Sequence, residues 1–198
     1  MNVTRAPITF EIRRKLIHLV PLVIPLVSTF DLLQKGPLLI IVAVSTLVAL
    51  WLDFARRRSG PVKTFFFRIF GSFLRKDETD TAVASTYYFT GMFLSIALFP
   101  RPIAEASMYI LIFGDTMAAI VGMSLGRVKI WGKSLEGSIA FFLSSCIILS
   151  FLGRVEFVVW LPGAFVATIV ELLPIPFSDN LSIPISSGLC MYLISNFI

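Results

Sequence analysis

The chain has 198 residues, of which 57% are hydrophobic and only 15% charged, against about 25% charge in an ordinary soluble domain. With a mean hydropathy of +0.89, a single soluble domain is excluded, because its surface cannot cover so large an apolar content. The net charge of +5 does not mark a nucleic-acid binder either, since the bases cluster at the edges of apolar runs with no aromatic-studded basic domain beside them. What remains is an all-α, polytopic integral membrane helical bundle, forming one transmembrane domain over residues 1–198 in the lipid bilayer.

Seven candidate spans succeed one another along the chain, at roughly 15–30, 36–54, 81–99, 104–123, 137–153, 155–171 and 183–198. The first follows basic residues, as a signal peptide would. It holds His18, Pro21 and Pro25 and lacks a small-x-small cleavage site, so it is expected to be retained as a helix. Arg5, Arg13, Arg14 and Lys15 precede it. Arg56, Arg57, Arg58, Lys63, Arg68, Arg75 and Lys76 follow the second span, and Arg127, Lys129 and Lys133 follow the fourth. Only Lys35, Arg101 and Arg154 fall on the other side, which places the N-terminus in the cytosol and the C-terminus outside. Most of these bases read as anchors on anionic lipid. Within the cytosolic segment at about 55–80, Pro61 to Leu74 (PVKTFFFRIFGSFL) is expected to lie amphipathically in the interface. Cys146 and Cys190 sit inside apolar runs and form no CxxC pair, which argues against a disulfide or zinc framework.

Ionisable residues inside spans are expensive, so function is sought there. Asp115 stands within the fourth span. Ala118, Ala119, Gly122 and Gly126 come after it on its helical face, a small-residue stripe that admits a close neighbour. Asp115 is therefore expected to face the bundle or a wet cavity; the plain alternative is a structural carboxylate paired with an arginine. The next loop, Gly126 through Lys133-Ser134-Leu135-Glu136-Gly137-Ser138, superficially matches GxxxxGK[ST], but it has one residue too many and no preceding strand, so a true P-loop is rejected. Phosphate capture at the helix N-terminus is still available there. Lys133 supplies a charge, Ser134 a cap and Glu136 an oxygen for Mg²⁺. An ordinary capped basic loop would look much the same.

Farther along, Glu171, Asp179 and Asn180 offer oxygen ligands around Pro174, Pro176 and Pro184, read as a stiff, non-helical approach to the last span. A Pro-rich turn with helix caps is the alternative. Near the start, Arg14 and His18 share a helix face. A single histidine excludes a histidine-based metal site. All these groups fall toward the cytosolic side, where Mg²⁺–nucleotide chemistry needs acids and bases around one cavity.

These residues carry a resemblance. Arg14-Lys15-Leu16-Ile17-His18, Ala84-Ser85-Thr86-Tyr87-Tyr88, Gly114-Asp115-Thr116-Met117-Ala118-Ala119, Gly132 to Ser138, and Val170-Glu171 through Asp179-Asn180 to Pro184 resemble, in order, the CTP-dependent lipid kinases. That family includes dolichol, polyprenol and phytol kinases and the yeast-type CTP-dependent diacylglycerol kinase, and it is similar to the CDP-diacylglycerol synthases. The short loop with a single lysine, Lys133, favours the kinase side.

The resemblance implies transfer of the γ-phosphoryl of CTP to a membrane lipid alcohol, a polyprenol or other isoprenoid alcohol before diacylglycerol. Asp115, Lys133 and Glu136 are then catalytic, with Asp115, Glu136 and Asp179 on Mg²⁺. Arg127, Lys129, Lys133, Ser134, Gly137 and Asn180 bind nucleotide or phosphate. Arg14, Lys15, His18 and Glu171 stand near the lipid hydroxyl or a phosphate, and the general base stays open between Asp115 and Glu171. A cytidylyltransferase attacking the α-phosphate and a small transporter are the other readings; the oligomeric state and the particular alcohol stay open.

Overall fold

The computed structural model describes residues 17–71 and 82–198. The basic tail with Arg14 and Lys15, and the bases Arg75 and Lys76, lie outside them. Eight helices and one small hairpin account for the described chain. They are α1 (Val20–Thr29, opening with a 3₁₀ turn), α2 (Lys35–Arg58), α3 (Gly60–Phe70), α4 (Ala84–Leu98) and α5 (Arg101–Ser124). Then come the hairpin β1 (Lys129–Ile130) and β2 (Lys133–Ser134), succeeded by α6 (Leu135–Leu152), α7 (Phe157–Leu172) and α8 (Asp179–Ser195). A helix thus lies at each expected span. Among the described residues α2, α5 and α6 are long and apolar enough to cross a membrane. The protein is an all-α membrane protein, and the hairpin is a local ornament on that class.

α2 shows how the bilayer inverts the usual pattern. Leu38, Val42, Thr46 and Asp53 form its buried stripe, while Ile40, Val44, Leu47, Val48 and Trp51 are half or more exposed. In water such a face would drive association; in hydrocarbon it costs nothing. At 24 residues α2 reaches about 36 Å at ~1.5 Å per residue, enough for a ~30 Å core. The hydroxyl of Thr46 donates to Val42 O at 2.8 Å and lies 3.1 Å from Phe89 O, joining α2 to α4.

Arg56 departs from its reading as a lipid anchor. It is 1% exposed; its Nε donates to Asp53 Oδ1 at 2.7 Å, and its guanidinium sits 5.4 Å from the Phe66 ring of α3. Asp53 stands three residues before it on the same helix face, close enough to draw the first arginine inward. The expected interfacial segment is helical over Gly60–Phe70, with Phe66 turned inward and Phe65, Ile69 and Phe70 outward.

At the end of the bundle where α5 begins, a second charge network closes. Glu105, 2% exposed, accepts from Ser28 Oγ at 2.6 Å and from Arg101 Nε at 3.1 Å. Arg101 also reaches Asp31 at 2.7 Å, and Arg154 bridges Asp31 and Glu105 at 3.5 and 3.8 Å. Lys35 donates to Phe99 O at 2.9 Å. Each of the three bases assigned to this side therefore has a protein partner.

α5 carries a π turn at Ile110–Gly114, immediately before Asp115. Gly114 makes room for it: a Cβ there would lie 2.7 Å from the Phe141 ring of α6. Such a turn inserts an extra residue and rotates the side chains beyond it about the helix axis. The last helix also differs from expectation. α8 starts at Asp179, not beyond the prolines, and holds Pro184 inside it. Gly91 of α4 accepts this segment, because a Cβ at that position would overlap Asn180 O and lie 3.1 Å from Pro184 Cγ. Gly91→Ala is expected to push α4 and α8 apart and cost about 1–3 kcal/mol, the usual range for overpacking. A lowered thermal midpoint in detergent checks this; an unchanged midpoint would mean that the contact yields freely.

Candidate active site

The hairpin aims the loop lysine. Lys129 pairs with Ser134 and Ile130 with Lys133, leaving Trp131 and Gly132 as a two-residue turn with φ of 45° and 87°. Two positive φ values define the turn whose twist suits a tight hairpin, and glycine takes the second without strain. Leu135 N then donates to Val128 O at 3.0 Å, and Ser134 Oγ accepts the Gly137 N–H at 3.1 Å, capping α6 as expected. Two donors of this helix end are thus satisfied internally, so it offers an anion less than the loop sequence suggested.

Lys133 does not reach into open solvent. Its Nζ donates to Asp179 Oδ2 at 2.9 Å, lies 3.6 Å from Glu171 Oε1, and also donates to the Glu171 main-chain carbonyl. Glu171, 6% exposed, accepts from Ser138 Oγ at 2.9 Å. One cation therefore ties the hairpin to the end of α7 and the start of α8, and one buried carboxylate ties α7 to α6. Asp115 and Asp179 both lie within electrostatic reach of Glu171, and Asp115 within reach of Tyr88. Tyr88 in turn donates its hydroxyl to His18 O at 3.2 Å and packs edge-on against the His18 ring at 5.4 Å. The structure thus brings Asp115, Lys133, Glu171, Asp179 and the Tyr88–His18 pair into one neighbourhood.

Other expected residues stand differently. Glu136 accepts the Val128 N–H at 3.1 Å through Oε1, while its buried Oε2 has no hydrogen-bond partner among the described residues. Gly137 is a packing position: a Cβ there would lie 2.8 Å from Ala118 O and 3.2 Å from Gly122 Cα, so the small-residue face of α5 does meet α6 closely. Arg127 and Lys129 are at the surface, Lys129 lying 3.5 Å from Gly122 O. Asn180 is 5% exposed and donates to Ala84 O at 3.1 Å, so the Asn180-Leu181-Ser182 sequon is folded into α8. Among the described residues no three His, Cys, Asp or Glu side chains gather as a ready metal centre. Mg²⁺ commonly takes only one or two carboxylates and completes its shell with water and phosphate. The acidic donors present, with the open Glu136 oxygen, fit that habit.

Tyr88, Thr86 and Ser138 carry no role in the sequence reading. Their signal is weak, for a hydroxyl in an apolar helix reads as neutral until its neighbours are known.

Helices and charged centre together define an all-α integral membrane protein with an ionisable cluster where α5, α6, α7 and α8 meet. The chain is 31% identical to an uncharacterized protein of Rickettsia prowazekii over 187 residues, covering 89% of this chain and 91% of that one. It is 33% identical to an uncharacterized protein of Methanocaldococcus jannaschii over 181 residues, 88% of each. The chain belongs to one family with these two proteins. It is also 27% identical over 176 residues to the CTP-dependent diacylglycerol kinase 1 of Eremothecium gossypii, covering 75% of this chain and 56% of the kinase. The chain thus spans little more than half the length of that relative. No protein-family model and no solved structure matches it.

If Lys133 mainly balances buried acid, its loss has a signature. Lys133→Met is expected to cost about 2 kcal/mol, below the ~3–5 kcal/mol of a fully buried broken pair because the side chain is 30% exposed. Adding Glu171→Gln is expected to restore most of the thermal midpoint. Strict additivity of the two losses would show that the groups are not coupled.

Proposed function

We propose that the protein is a CTP-dependent lipid kinase, transferring the γ-phosphoryl group of CTP to the hydroxyl of a membrane lipid. The observation that carries this reading is Lys133 held between Asp179 and Glu171, with Asp115 in electrostatic reach. The distant relation to a CTP-dependent diacylglycerol kinase supports it. That relation makes diacylglycerol the first acceptor to test. An isoprenoid alcohol, preferred on the sequence alone, is the second.

In this reading Lys133 exchanges its Asp179 carboxylate for a phosphate oxygen when the nucleotide arrives. The exchange suits a compact, partly exposed ammonium that is already desolvated. Arg127 and Lys129, at the surface beside the hairpin, attract the polyphosphate. Ser134, Gly137 and Asn180 shape the nucleotide side of the site. Mg²⁺, held by Asp115, Glu136 and Asp179 with the phosphates, would neutralise charge on the transferring group. The acceptor oxygen bonds to the γ-phosphorus, the bond to the β,γ-bridging oxygen breaks, and CDP leaves. The hydroxyl proton passes to a carboxylate. Asp115 suits that task better than Glu171, because Glu171 is already committed to Ser138 and Lys133. Arg14, Lys15 and His18 belong beside the lipid head in the same reading.

The seven-span arrangement, the cytosolic N-terminus and a cytosolic site within one transmembrane domain are part of this proposal. The basic asymmetry supports it, and so does the internal pairing of Lys35, Arg101 and Arg154, the three bases assigned to the opposite side.

Purified protein with Mg²⁺, diacylglycerol and isoprenoid alcohols, and CTP labelled at either the α or the γ phosphate tests the reading. Label from the γ position in the lipid, with CDP left behind, is the expected result. Label from the α position with pyrophosphate released would make the protein a cytidylyltransferase, and no transfer from any nucleotide would return it to the transporters. Asp115→Asn is expected to lower turnover about 10²–10⁴-fold while leaving the thermal midpoint within a few degrees. Near-normal turnover in that variant would remove the centre of the mechanism.

A further inference from the structure

A cavity of about 640 Å³ opens between the start of α1, the middle of α2, the amphipathic α3 and the first turns of α4. Its volume falls within the ~300–1,000 Å³ common for small-molecule sites, and its make-up obeys the same rule of apolar walls with few polar groups. Val44 and Val48 of α2 and Phe66 and Ile69 of α3 supply the walls. Val44 and Val48 are 54% and 50% exposed on a helix whose outer face meets hydrocarbon, so the cavity is continuous with the bilayer.

The polar groups gather on one side, at Ser85, Thr86, Tyr88 and His18. Thr86 is 4% exposed, and its Oγ1 has no hydrogen-bond partner among the described residues. An orphaned buried hydroxyl costs about 1–3 kcal/mol, and in helices threonine usually bonds back to the preceding turn, as Thr90 does to Thr86 O at 2.7 Å. Thr86 forgoes that bond on the wall of a cavity. Tyr88, on the same wall, lies within electrostatic reach of Asp115. The polar end of the cavity therefore borders the charged centre.

We propose that this cavity holds the hydrocarbon chain of the acceptor lipid, admitted laterally from the bilayer, and that Thr86 Oγ1 hydrogen-bonds an oxygen of the lipid head. The assignment rests on the lipid-kinase reading and adds to it the place of the acceptor. α3 is then the roof of the site, its Phe66 and Ile69 lying over the chain. The occupant has one shared chemistry, a hydroxyl on a long apolar chain, whether diacyl or isoprenoid.

Two photoreactive probes test it without nucleotide: a diacylglycerol and a farnesol analogue, each with a diazirine in the chain, added to the full-length protein in nanodiscs. Expected is cross-linking to the α2 and α4 peptides around Val44, Val48 and Phe89 by at least one probe, the stronger one naming the acceptor class. Val48→Trp, which fills the cavity, should reduce that label at least tenfold, while Lys133→Met should leave it unchanged. Label spread over the outer surface, or indifferent to Val48→Trp, overturns the proposal. In the transfer assay Thr86→Val should raise the lipid KM about tenfold and hold the CTP KM within twofold; an unchanged lipid KM removes Thr86 from the site. γ-Transfer without cavity label would sink this proposal and leave the kinase standing. Cavity label without transfer from any nucleotide would do the reverse.

Discussion

Charge inside a bilayer-facing bundle must meet charge or a hydrogen-bond donor, and that constraint shapes both ends of this molecule. At one end Glu105 is buried among Ser28, Arg101 and Arg154, and Asp31 shares the same arginines. The groups brace one another through planar guanidinium forks, which hold carboxylates in fixed geometry. At the other end Glu171 is met by a serine and by one lysine that it shares with Asp179. A lysine ammonium is a point charge on a flexible stem, and this one stands 30% exposed. The first arrangement locks helices together; the second can trade a partner without unmaking the bundle. The contrast separates a brace from a site more clearly than burial alone, since both ends bury a glutamate.

Helix packing then decides where the exchangeable end can form. Gly137 and Gly122 let α5 and α6 approach, which carries Asp115 toward the α7 end at Glu171. Gly91 lets α4 accept the Asn180–Pro184 segment, which sets Asp179 at the mouth of the same cluster. The hairpin turn at Trp131-Gly132 folds Lys133 back over both. Small residues are the means in each case, because close approach without a hydrophobic drive depends on backbone contact.

The helices were legible because apolar runs bounded by Pro, Gly and charge have few other solutions in a membrane. The Ser134 cap and the small-residue face of Asp115 could also be read, both being local patterns on one helix. What escaped was non-local. The π turn before Asp115 has no sequence signature; it exists because Phe141 arrives from α6 to fill against Gly114. Arg56 reads as one of three solvated arginines until Phe66 covers it. Pro184 reads as an interruption, yet it sits inside α8 where Gly91 accommodates its ring. The exchangeable lysine itself looked like a free phosphate hook, because its two acidic partners lie 38 and 46 positions away in the chain.

A lipid acceptor and a nucleotide donor impose opposite demands on one site. The lipid cannot leave hydrocarbon cheaply, at about 0.8 kcal/mol for each methylene exposed, and a polyphosphate cannot enter it. A reaction between them needs a wall that is apolar on one side and ionic on the other. Tyr88 has that character: its ring packs with His18 beside the apolar cavity, while its electrostatic neighbour is Asp115. A chain filling the cavity would also exclude water from the acceptor side, strengthening each charge interaction there and removing the nucleophile that would otherwise hydrolyse CTP. The apolar cavity and the Lys133 cluster are in that sense two halves of one selectivity: the first decides what can be phosphorylated, and the second keeps the donor waiting until it is present.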